Sequence, residues 1–388
     1  MAAMELILLL FFFSPEAPYG QPARANKIFQ HVPADAMFVI TADVASIGQG
    51  MNKGLDKLLA APFIKKSAAL QQGAQAIRMG KQMLMNEVDK FGLDPFKDIR
   101  YITVCFSVDP EKGERGLIIV GDRIPQKTFE ALINMSGAQP KGDLYIIEQG
   151  GSSGPQVAAR TKNGTVLFGD QQWVEMALAK KHRHKAMQTL LKSHDKKTYL
   201  MFAFKLNETI RNEIRDEAEP LLRPLFTSLE GGSVRLTYKG AEIKVLASKK
   251  QYVQAWGGIL DGSGRMISAY HQAAEGFLIM AEAFLSSLDP VASLGLELGQ
   301  EEKDVIETLV TQRSAIHKYL ITTFLGSKPP VVKTKVNLKA KSATLLLTGR
   351  GPGGIALLGG MAGWLMLSRS HQKAPSVIEG PATTKAKE

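Results

Sequence analysis

The chain has 388 residues, of which 48 are Lys or Arg and 37 are Asp or Glu, so its formal net charge is +11. This length allows two domains or one elaborated domain, and a charged fraction of 22% is ordinary for a globular protein. The single cysteine, Cys105, excludes an intramolecular disulfide framework and any cysteine-rich zinc or iron–sulfur site. Because Cys105 lies in a β-rich run, we expect it to be a buried core residue rather than a nucleophile.

The first 25 residues predict an export signal. The unbroken apolar run Leu6–Phe13 is too short to span a bilayer as a helix. Two prolines follow the run, and Ala23-Arg24-Ala25 supplies the small-x-small pattern that signal peptidase accepts. We therefore expect residues 1–25 to be removed as a signal peptide. A buried N-terminal helix is the alternative, and the two prolines oppose it.

Residues 26–180 alternate between β-rich runs and helical stretches. Pro125 opens a predicted helix at a position where its missing N–H costs nothing, and Asn163-Gly164 is typical of a hairpin turn. Asp170 is a good N-cap for the helix that follows it. The pattern predicts strands at 36–44, 99–108, 116–120, 144–148, 156–161 and 165–168, and helices at 47–91, 126–135 and 171–180.

Residues 198–349 repeat this order and then add a helical section and a closing hairpin. The pattern predicts strands at 198–206, 233–238, 242–247, 331–338 and 343–348, and helices from 207 towards 229 and at 251–260, 266–288 and 301–325. Strand, helix, strands and helix thus occur in the same order at 36–180 and at 198–262, which we interpret as a weak internal duplication. The predicted fold class is α+β, with two similar units of antiparallel sheet and helix at 26–180 and 198–349.

Three segments resemble a group of exported bacterial proteins. The segments are Val32–Asp43 (VPADAMFVITAD), Phe91–Ile99 (FGLDPFKDI) and Gly164–Leu178 (GTVLFGDQQWVEMAL). Proteins of this group are uncharacterised envelope proteins of predatory, myxobacterial or planctomycete-like bacteria, and they are anchored to the membrane by a lipid or a helix. The resemblance covers about the first half of the chain. It implies an extracytoplasmic α+β domain, and it implies no known reaction and no site residues.

The positive charge is concentrated in two short segments. Residues 180–205 have a net charge of +7 and residues 328–350 of +6, so the rest of the chain is near neutral. This pattern favours contact with anionic lipid at the membrane next to the predicted anchor, with an anionic surface polymer as the other partner, and export opposes nucleic acid. We interpret residues 181–197 as a solvated basic connector, with solubility and protection of an edge strand as alternative roles for the charge. The candidate contact residues are Lys180, Lys181, Arg183, Lys185, Lys333, Lys335, Lys339 and Lys341.

Residues 353–369 predict a C-terminal membrane anchor. The run Gly353–Leu367 carries no charge, and as a helix it rises about 22 Å, close to the lower limit for a spanning segment. Trp364 fits an interfacial position, and the G-x-x-x-G pair of Gly359 and Gly363 would let two such helices approach in a homodimer. A glycine-rich buried helix is the alternative. Residues 350–352 are then a linker, and residues 370–388 a disordered tail.

Three motifs resemble sites but lack the context that their chemistry needs. Ser152 lies in a G-x-S-x-G match, but the residues directly after it predict a strand, whereas a nucleophile elbow needs a helix there. Residues 349–354 match G-x-G-x-x-G, and they fit a linker better than a dinucleotide site because too little chain follows for a doubly wound sheet. His182, His184 and His194 stand among lysines that would repel a metal cation. We therefore predict no catalytic residue, no cofactor and no metal.

These features predict an exported, membrane-tethered protein of the cell envelope with a non-enzymatic binding or structural role. Its main body would lie outside the cytoplasm. One alternative is a serine hydrolase that uses Ser152, which predicts labelling by a serine-reactive probe. The other is a periplasmic carrier whose helical part at 266–325 encloses an apolar ligand, which predicts that the purified protein retains lipid.

Overall fold

The computed structural model describes most of the chain between residues 28 and 349. The predicted signal peptide at 1–25 and the predicted anchor at 353–369 lie outside the described residues. The described residues are 28–90, 92, 99–109, 113–121, 123–151, 154–179, 185–192, 194, 198–237, 240–287, 299–321 and 329–349.

Within these residues, twelve strands form one sheet in which all neighbouring strands are antiparallel. The strands are β1 (Phe38–Asp43), β2 (Tyr101–Asp109), β3 (Gly113–Val120), β4 (Gln139–Lys141), β5 (Leu144–Gly151), β6 (Gly154–Arg160), β7 (Val166–Asp170), β8 (Thr198–Lys205), β9 (Leu229–Thr237), β10 (Gly240–Ala247), β11 (Val331–Asn337) and β12 (Ser342–Thr348). Their order is β11-β12-β10-β9-β8-β1-β2-β3-β7-β6-β5-β4. This confirms the predicted combination of helices with an antiparallel sheet.

The helices begin and end at recognisable local signals. Pro125 is the N-cap of the fourth helix and Pro62 lies in the first turn of the second, as expected for a residue without an N–H. The helices are α1 (Val44–Ala60), α2 (Pro62–Lys66), α3 (Ala68–Asp89), α4 (Gln126–Met135), α5 (Gln171–Ala179), α6 (Lys185–Leu191), α7 (Glu208–Glu217), α8 (Arg223–Thr227), α9 (Lys250–Ser287), α10 (Gln300–Thr311) and α11 (Arg313–Leu320), with a 3₁₀ turn at Phe29–His31.

The two halves of the sheet follow the same strand order from the centre outwards. The first strand of each half, β1 or β8, pairs with its counterpart at the centre, followed by β2 and β3 on one side and β9 and β10 on the other. Each half then has its closing hairpin with the later strand inside, β7 before β6 and β12 before β11. The first half adds β5 and β4 at its edge. One continuous sheet therefore runs through both predicted units.

The first helix of each half starts with the same type of cap. The Asp43 carboxylate accepts a hydrogen bond from the Ser46 N–H at 2.9 Å, and the Asn207 side chain accepts one from the Ile210 N–H at 2.8 Å. Both residues directly precede the first helix that follows the central strand. Each cap satisfies one of the N–H groups that a helix start leaves without an intrahelical partner.

Replacing Asn207 with alanine is expected to lower the free energy of unfolding by about 1 kcal/mol, because the Ile210 N–H loses its acceptor. Urea unfolding of the full chain would show this as a lower midpoint with an unchanged slope. Asn207→Asp keeps an acceptor oxygen in place and is the matched control. An alanine variant as stable as the aspartate variant would contradict the role of the cap.

Helices cover opposite faces of the sheet at different places. On the first face, α5 and α6 pack over β1, β2, β3, β6, β7 and β8, where Trp173 is fully buried among Leu117, Leu167 and Val157. On the second face, α4 packs over the first half and α9 over the second. Each face therefore has its own hydrophobic core.

A separate group of helices lies at the end of the sheet where β1 ends. Phe63 of α2 packs edge-on against Tyr319 of α11, with ring centroids 5.5 Å apart. The Asp304 carboxylate of α10 accepts hydrogen bonds from the Ser67 hydroxyl at 2.5 Å and the Ala69 N–H at 2.9 Å, which joins α10 to the start of α3.

In the part of the chain that the structure describes, no helix is both long and apolar enough to cross a membrane.

Several predicted boundaries differ from the structure. The helices predicted at 251–260 and 266–288 are one continuous helix, α9. Gly264 lies between the two predicted helices, at the place where α9 passes close to the sheet, and a Cβ there would lie 2.5 Å from Cγ1 of Val332. The long helix predicted at 47–91 is three helices, α1, α2 and α3. Pro62 starts the second of them.

The predicted connector at 181–197 is not solvated throughout. It contains α6, in which Met187, Leu190 and Leu191 are buried in the core of the first face. Since α6 is only seven residues long and has basic residues around it, its apolar pattern is not recognisable in the sequence.

Candidate functional site

The first face of the sheet changes from apolar to basic between its two halves. The register aligns Arg235, Glu242, Leu346 and Lys333 in one row across β9, β10, β12 and β11. The neighbouring row aligns Ser233, Lys244, Thr344 and Lys335. Directly opposed residues point to the same side of a sheet, so both rows lie on one face. We call Arg235, Lys244, Lys333 and Lys335 the basic face.

The charges of the basic face are only partly compensated. Arg235 Nη2 donates to Glu242 Oε2 at 2.7 Å, and these side chains are only 14% and 16% exposed, so the pair is mostly shielded from water. Lys244 is half-buried, whereas Lys333 and Lys335 are exposed. The four cations and one carboxylate of these two rows give the face a positive potential that favours an anionic partner.

The described helix that packs on β11 and β12 is α9, and it lies on the opposite face, where Val332 and Leu345 contact it. On the same side of the sheet as the basic face, the described helix α6 contacts β8 and β9. Lys185 begins α6. The basic segment at 180–205 therefore leads onto the same face as Lys333 and Lys335.

The structure separates the four lysines predicted in the closing hairpin. Lys333 and Lys335 lie on β11, whereas Lys339 and Lys341 lie in the turn at the opposite end of the hairpin from Thr348. Lys341 Nζ donates to the Ser248 carbonyl at 2.7 Å, so this lysine links the turn to the segment after β10. Of the predicted contact residues, Lys180, Lys181 and Arg183 lie outside the described residues, as do the predicted anchor residues Gly359, Gly363 and Trp364.

Sequence reasoning missed Arg235 and Lys244. Each sits in a strand with apolar neighbours, and nothing local distinguishes it from an ordinary exposed charge. The pairing of β10 with β12 brings them into the same two rows as Lys333 and Lys335, and this pairing joins residues about 100 positions apart.

The position of the lysines also fits the alternative role as edge protection. β11 is one edge of the sheet, and the other edge, β4, is only three residues long and contains Pro140. Lysines, proline and short length each hinder the pairing of an edge strand with another chain. Edge protection accounts for Lys333 and Lys335, but it does not account for Lys244, which lies two strands further in.

Cys105 is fully buried, as the sequence predicts. Burial raises the pKa of its thiol, so the thiol stays protonated and unreactive at neutral pH. Burial likewise lowers the pKa of Lys205, and the nearby Asp35 carboxylate opposes that shift. Neither group has the exposed, activated environment of a nucleophile or a proton-transfer residue.

Of the three histidines in the basic segment at 180–205, the structure describes His194. His194 is buried, and its ring packs edge-on against Phe29 and Tyr101 at centroid distances of 5.3 and 5.9 Å. His182 and His184 lie outside the described residues. Within the described residues, no group of three or more His, Cys, Asp or Glu side chains is placed to hold a metal ion.

Ser152 itself lies outside the described residues, and its surroundings are those of a hairpin. β5 ends at Gly151 and β6 begins at Gly154, and the two strands pair antiparallel. A nucleophile elbow requires a helix directly after the serine. The strand at 154–160 therefore does not supply the context of the motif.

A half-open cleft of about 650 Å³ lies near the start of α4, and His31, Tyr145, Arg160 and Lys162 are among its lining residues. Arg160 is already engaged: its Nε donates to the Ile124 carbonyl and its Nη1 to Gln126 Oε1, both at 2.9 Å. His31 Nδ1 is hydrogen-bonded to the Ala177 carbonyl at 2.9 Å. These bonds stabilise the fold at the rim of the cleft, so the basic face is the stronger candidate for binding.

Comparison of the chain with protein-family models, curated proteins and solved structures finds no match.

Proposed function

We propose that the protein is exported, is tethered to a membrane by its apolar segment at 353–367, and binds an anionic polymer of the cell envelope through the basic face. The observation that carries this proposal is a difference between the two halves of the sheet. The halves share their strand order, but the sheet face next to the last strand is apolar in the first half and charged in the second.

In the first half, the residues that come after the last strand cover the sheet. α5 comes directly after β7 and packs over β3, β6 and β7. The side chains below it are apolar, among them Leu117, Val157 and Leu167. The last strand and the helix after it thus form one packed unit.

In the second half, an apolar segment also comes after the last strand, but the corresponding sheet face is charged. The strands β10, β12 and β11 occupy the places of β3, β7 and β6, and they present Glu242, Lys244, Lys333 and Lys335. An apolar helix laid over these side chains would remove their charges from water, which costs several kcal/mol for each unpaired ion. We infer that the two halves are copies of one unit. In the second copy, the apolar segment after the last strand does not pack on its own sheet, as α5 does in the first, but on another partner.

A bilayer provides the apolar environment that this sheet face lacks. The segment 353–367 is free of charge and has basic residues after it, a composition suited to a membrane anchor. Release of the segment from the sheet also leaves the basic face open to a second partner. The chain leads to the anchor at the end of the sheet that α9 passes, and α9 lies on the face opposite to the basic face. The bilayer is therefore expected on the side of α9, and an anionic polymer fits the basic face better than the tethering bilayer does.

The tether is tested by fractionation of cells that express the full chain with a C-terminal tag. We expect the protein to pellet through a carbonate wash and to lack residues 1–25. Added protease should digest the body in spheroplasts and leave the tag intact. Leu358→Arg, at the centre of the apolar segment, should shift the protein to the soluble fraction, because a buried arginine costs about 3 kcal/mol in the bilayer.

Val377→Arg adds the same charge outside the apolar segment and is the matched control; it should leave the fractionation unchanged. Release of the unmodified protein by carbonate would overturn the tether. Equal behaviour of the two arginine variants would show that segment 353–367 is not the anchor.

A further inference from the structure

The long helix α9 extends well beyond the sheet. Three contacts fix its direction: the Gly257 Cα lies against Val336, the Thr334 hydroxyl bonds the Asp261 carboxylate at 3.1 Å, and Gly264 lies against Val332. α9 therefore runs towards the start of β11, and it passes Val331 at about residue 266. The twenty-one residues from 267 to 287 then extend about 32 Å past the sheet.

One side of this projecting part is held by other helices. Glu282 is hydrogen-bonded to His317 Nδ1 of α11, and α9 also packs on α10. His271 is buried, whereas Ile267 and Leu278 are half-buried on the same side. This side continues the surface that packs on the sheet nearer the start of α9.

The opposite side of α9 is apolar and exposed. Met266, Tyr270, Phe277 and Met280 are 58%, 47%, 65% and 64% exposed, and their spacing of 4, 7 and 3 residues places them on one stripe of the helix. Glu275 is the only Asp, Glu, Lys or Arg between positions 266 and 280, and it is half-buried on the other side. We call these four residues the outer stripe. Large exposed apolar patches of this kind mark a surface that meets a partner.

The chain leads to the apolar segment from the same end of the sheet. Thr348, the last residue of β12, pairs with Val331 at the point where α9 passes the sheet. Five residue steps separate Thr348 from Gly353, and a fully extended chain covers at most about 18 Å in five steps. A bilayer that holds segment 353–367 therefore comes within about 18 Å of the place where α9 begins to project.

We propose that the outer stripe of α9 lies in the interfacial layer of the bilayer that holds the anchor. The inference rests on the proposed function, because the anchor brings the bilayer to this end of the sheet. An uncharged apolar side of a helix that meets a bilayer inserts its large side chains at the boundary between headgroups and acyl chains. The protein body is then held at two places, and the basic face points away from the membrane.

The test uses the full chain in phosphatidylcholine vesicles with a polarity-sensitive fluorophore at Phe277→Cys. Cys105 is fully buried, so the introduced cysteine is the labelled one. Gln272→Cys is the matched control, because it is also exposed but lies about 140° around the helix from Phe277. We expect a blue-shifted emission and at least twofold quenching by spin-labelled lipid at position 277, with little quenching at position 272.

Flotation of the vesicles separates the two possible failures. Protein that floats with the vesicles while the label at 277 stays unquenched would overturn the inference and leave the tether intact. Protein that does not float would overturn the tether and this inference together. Disulfide-linked dimers of unlabelled Phe277→Cys would show that a second copy covers the outer stripe, which also overturns the inference.

Discussion

Replacing Gly169 with alanine is expected to lower the free energy of unfolding by at least about 3 kcal/mol. Gly169 has φ +154°, a conformation that residues with a side chain rarely adopt, and such strain costs about 1–3 kcal/mol by itself. A Cβ at this position would also lie 2.2 Å from the Gly116 carbonyl oxygen and 2.9 Å from the Leu117 Cα. Since β7 lies between β3 and β6, relief of this clash would have to separate paired strands.

Gly116→Ala is the matched control, because it adds the same methyl group on the neighbouring strand. A Cβ on Gly116 meets nothing within 4 Å, and Gly116 does not have a positive φ. We expect this variant to stay within about 0.5 kcal/mol of the unmodified protein. Thermal and urea unfolding of both variants would measure the difference. Equal midpoints for the two variants would mean that β7 does not approach β3 as closely as the structure shows.

The elements that could be predicted from sequence are those set by neighbours along the chain. The helix predicted at 126–135 is observed as Gln126–Met135, because Pro125 fixes its start and its apolar spacing is regular. The closing hairpin predicted at 331–338 and 343–348 is observed at Val331–Asn337 and Ser342–Thr348, because the two strands are joined by a short turn. In both cases the signal lies within a few residues of the structure that it determines.

The elements that could not be predicted depend on distant parts of the chain. The pairing of β1 with β8, which joins both halves into one sheet, brings together residues about 160 positions apart. α9 continues through Gly262 and Gly264, whose local preference opposes a helix, because the sheet below favours a close approach at Gly264. Long-range packing decides these features, and no local pattern encodes it.

The same distinction holds for the candidate surfaces. Lys333 and Lys335 could be named from sequence, since they alternate along one strand, whereas Arg235 and Lys244, in the same two rows of the sheet, required the strand order. The sequence predicts a helix at 266–288, but it does not predict that Met266 and Phe277 are exposed. Helical periodicity does not distinguish a side that packs on protein from a side that meets another partner.

Neutralising the basic face is expected to weaken binding to an anionic polymer by about 100-fold. In the triple variant Lys244→Gln, Lys333→Gln and Lys335→Gln, each lost charge beside a dense anionic surface reduces affinity about fivefold. The measurement is the affinity of the detergent-solubilised full chain for immobilised polyphosphate across a range of salt concentrations. Binding by the unmodified protein should fall as salt rises, and the triple variant should show a shallower dependence.

A second triple variant, Lys65→Gln, Lys66→Gln and Lys81→Gln, separates the basic face from net charge. These three lysines are exposed on α2 and α3, in the separate group of helices, and their loss changes the net charge by the same amount. Because the interaction of exposed charges is screened beyond about 10 Å at 0.1 M salt, distant lysines should affect binding less than twofold. Equal losses in the two triple variants would mean that the polymer responds to the overall charge of the protein and that the basic face is not its binding surface.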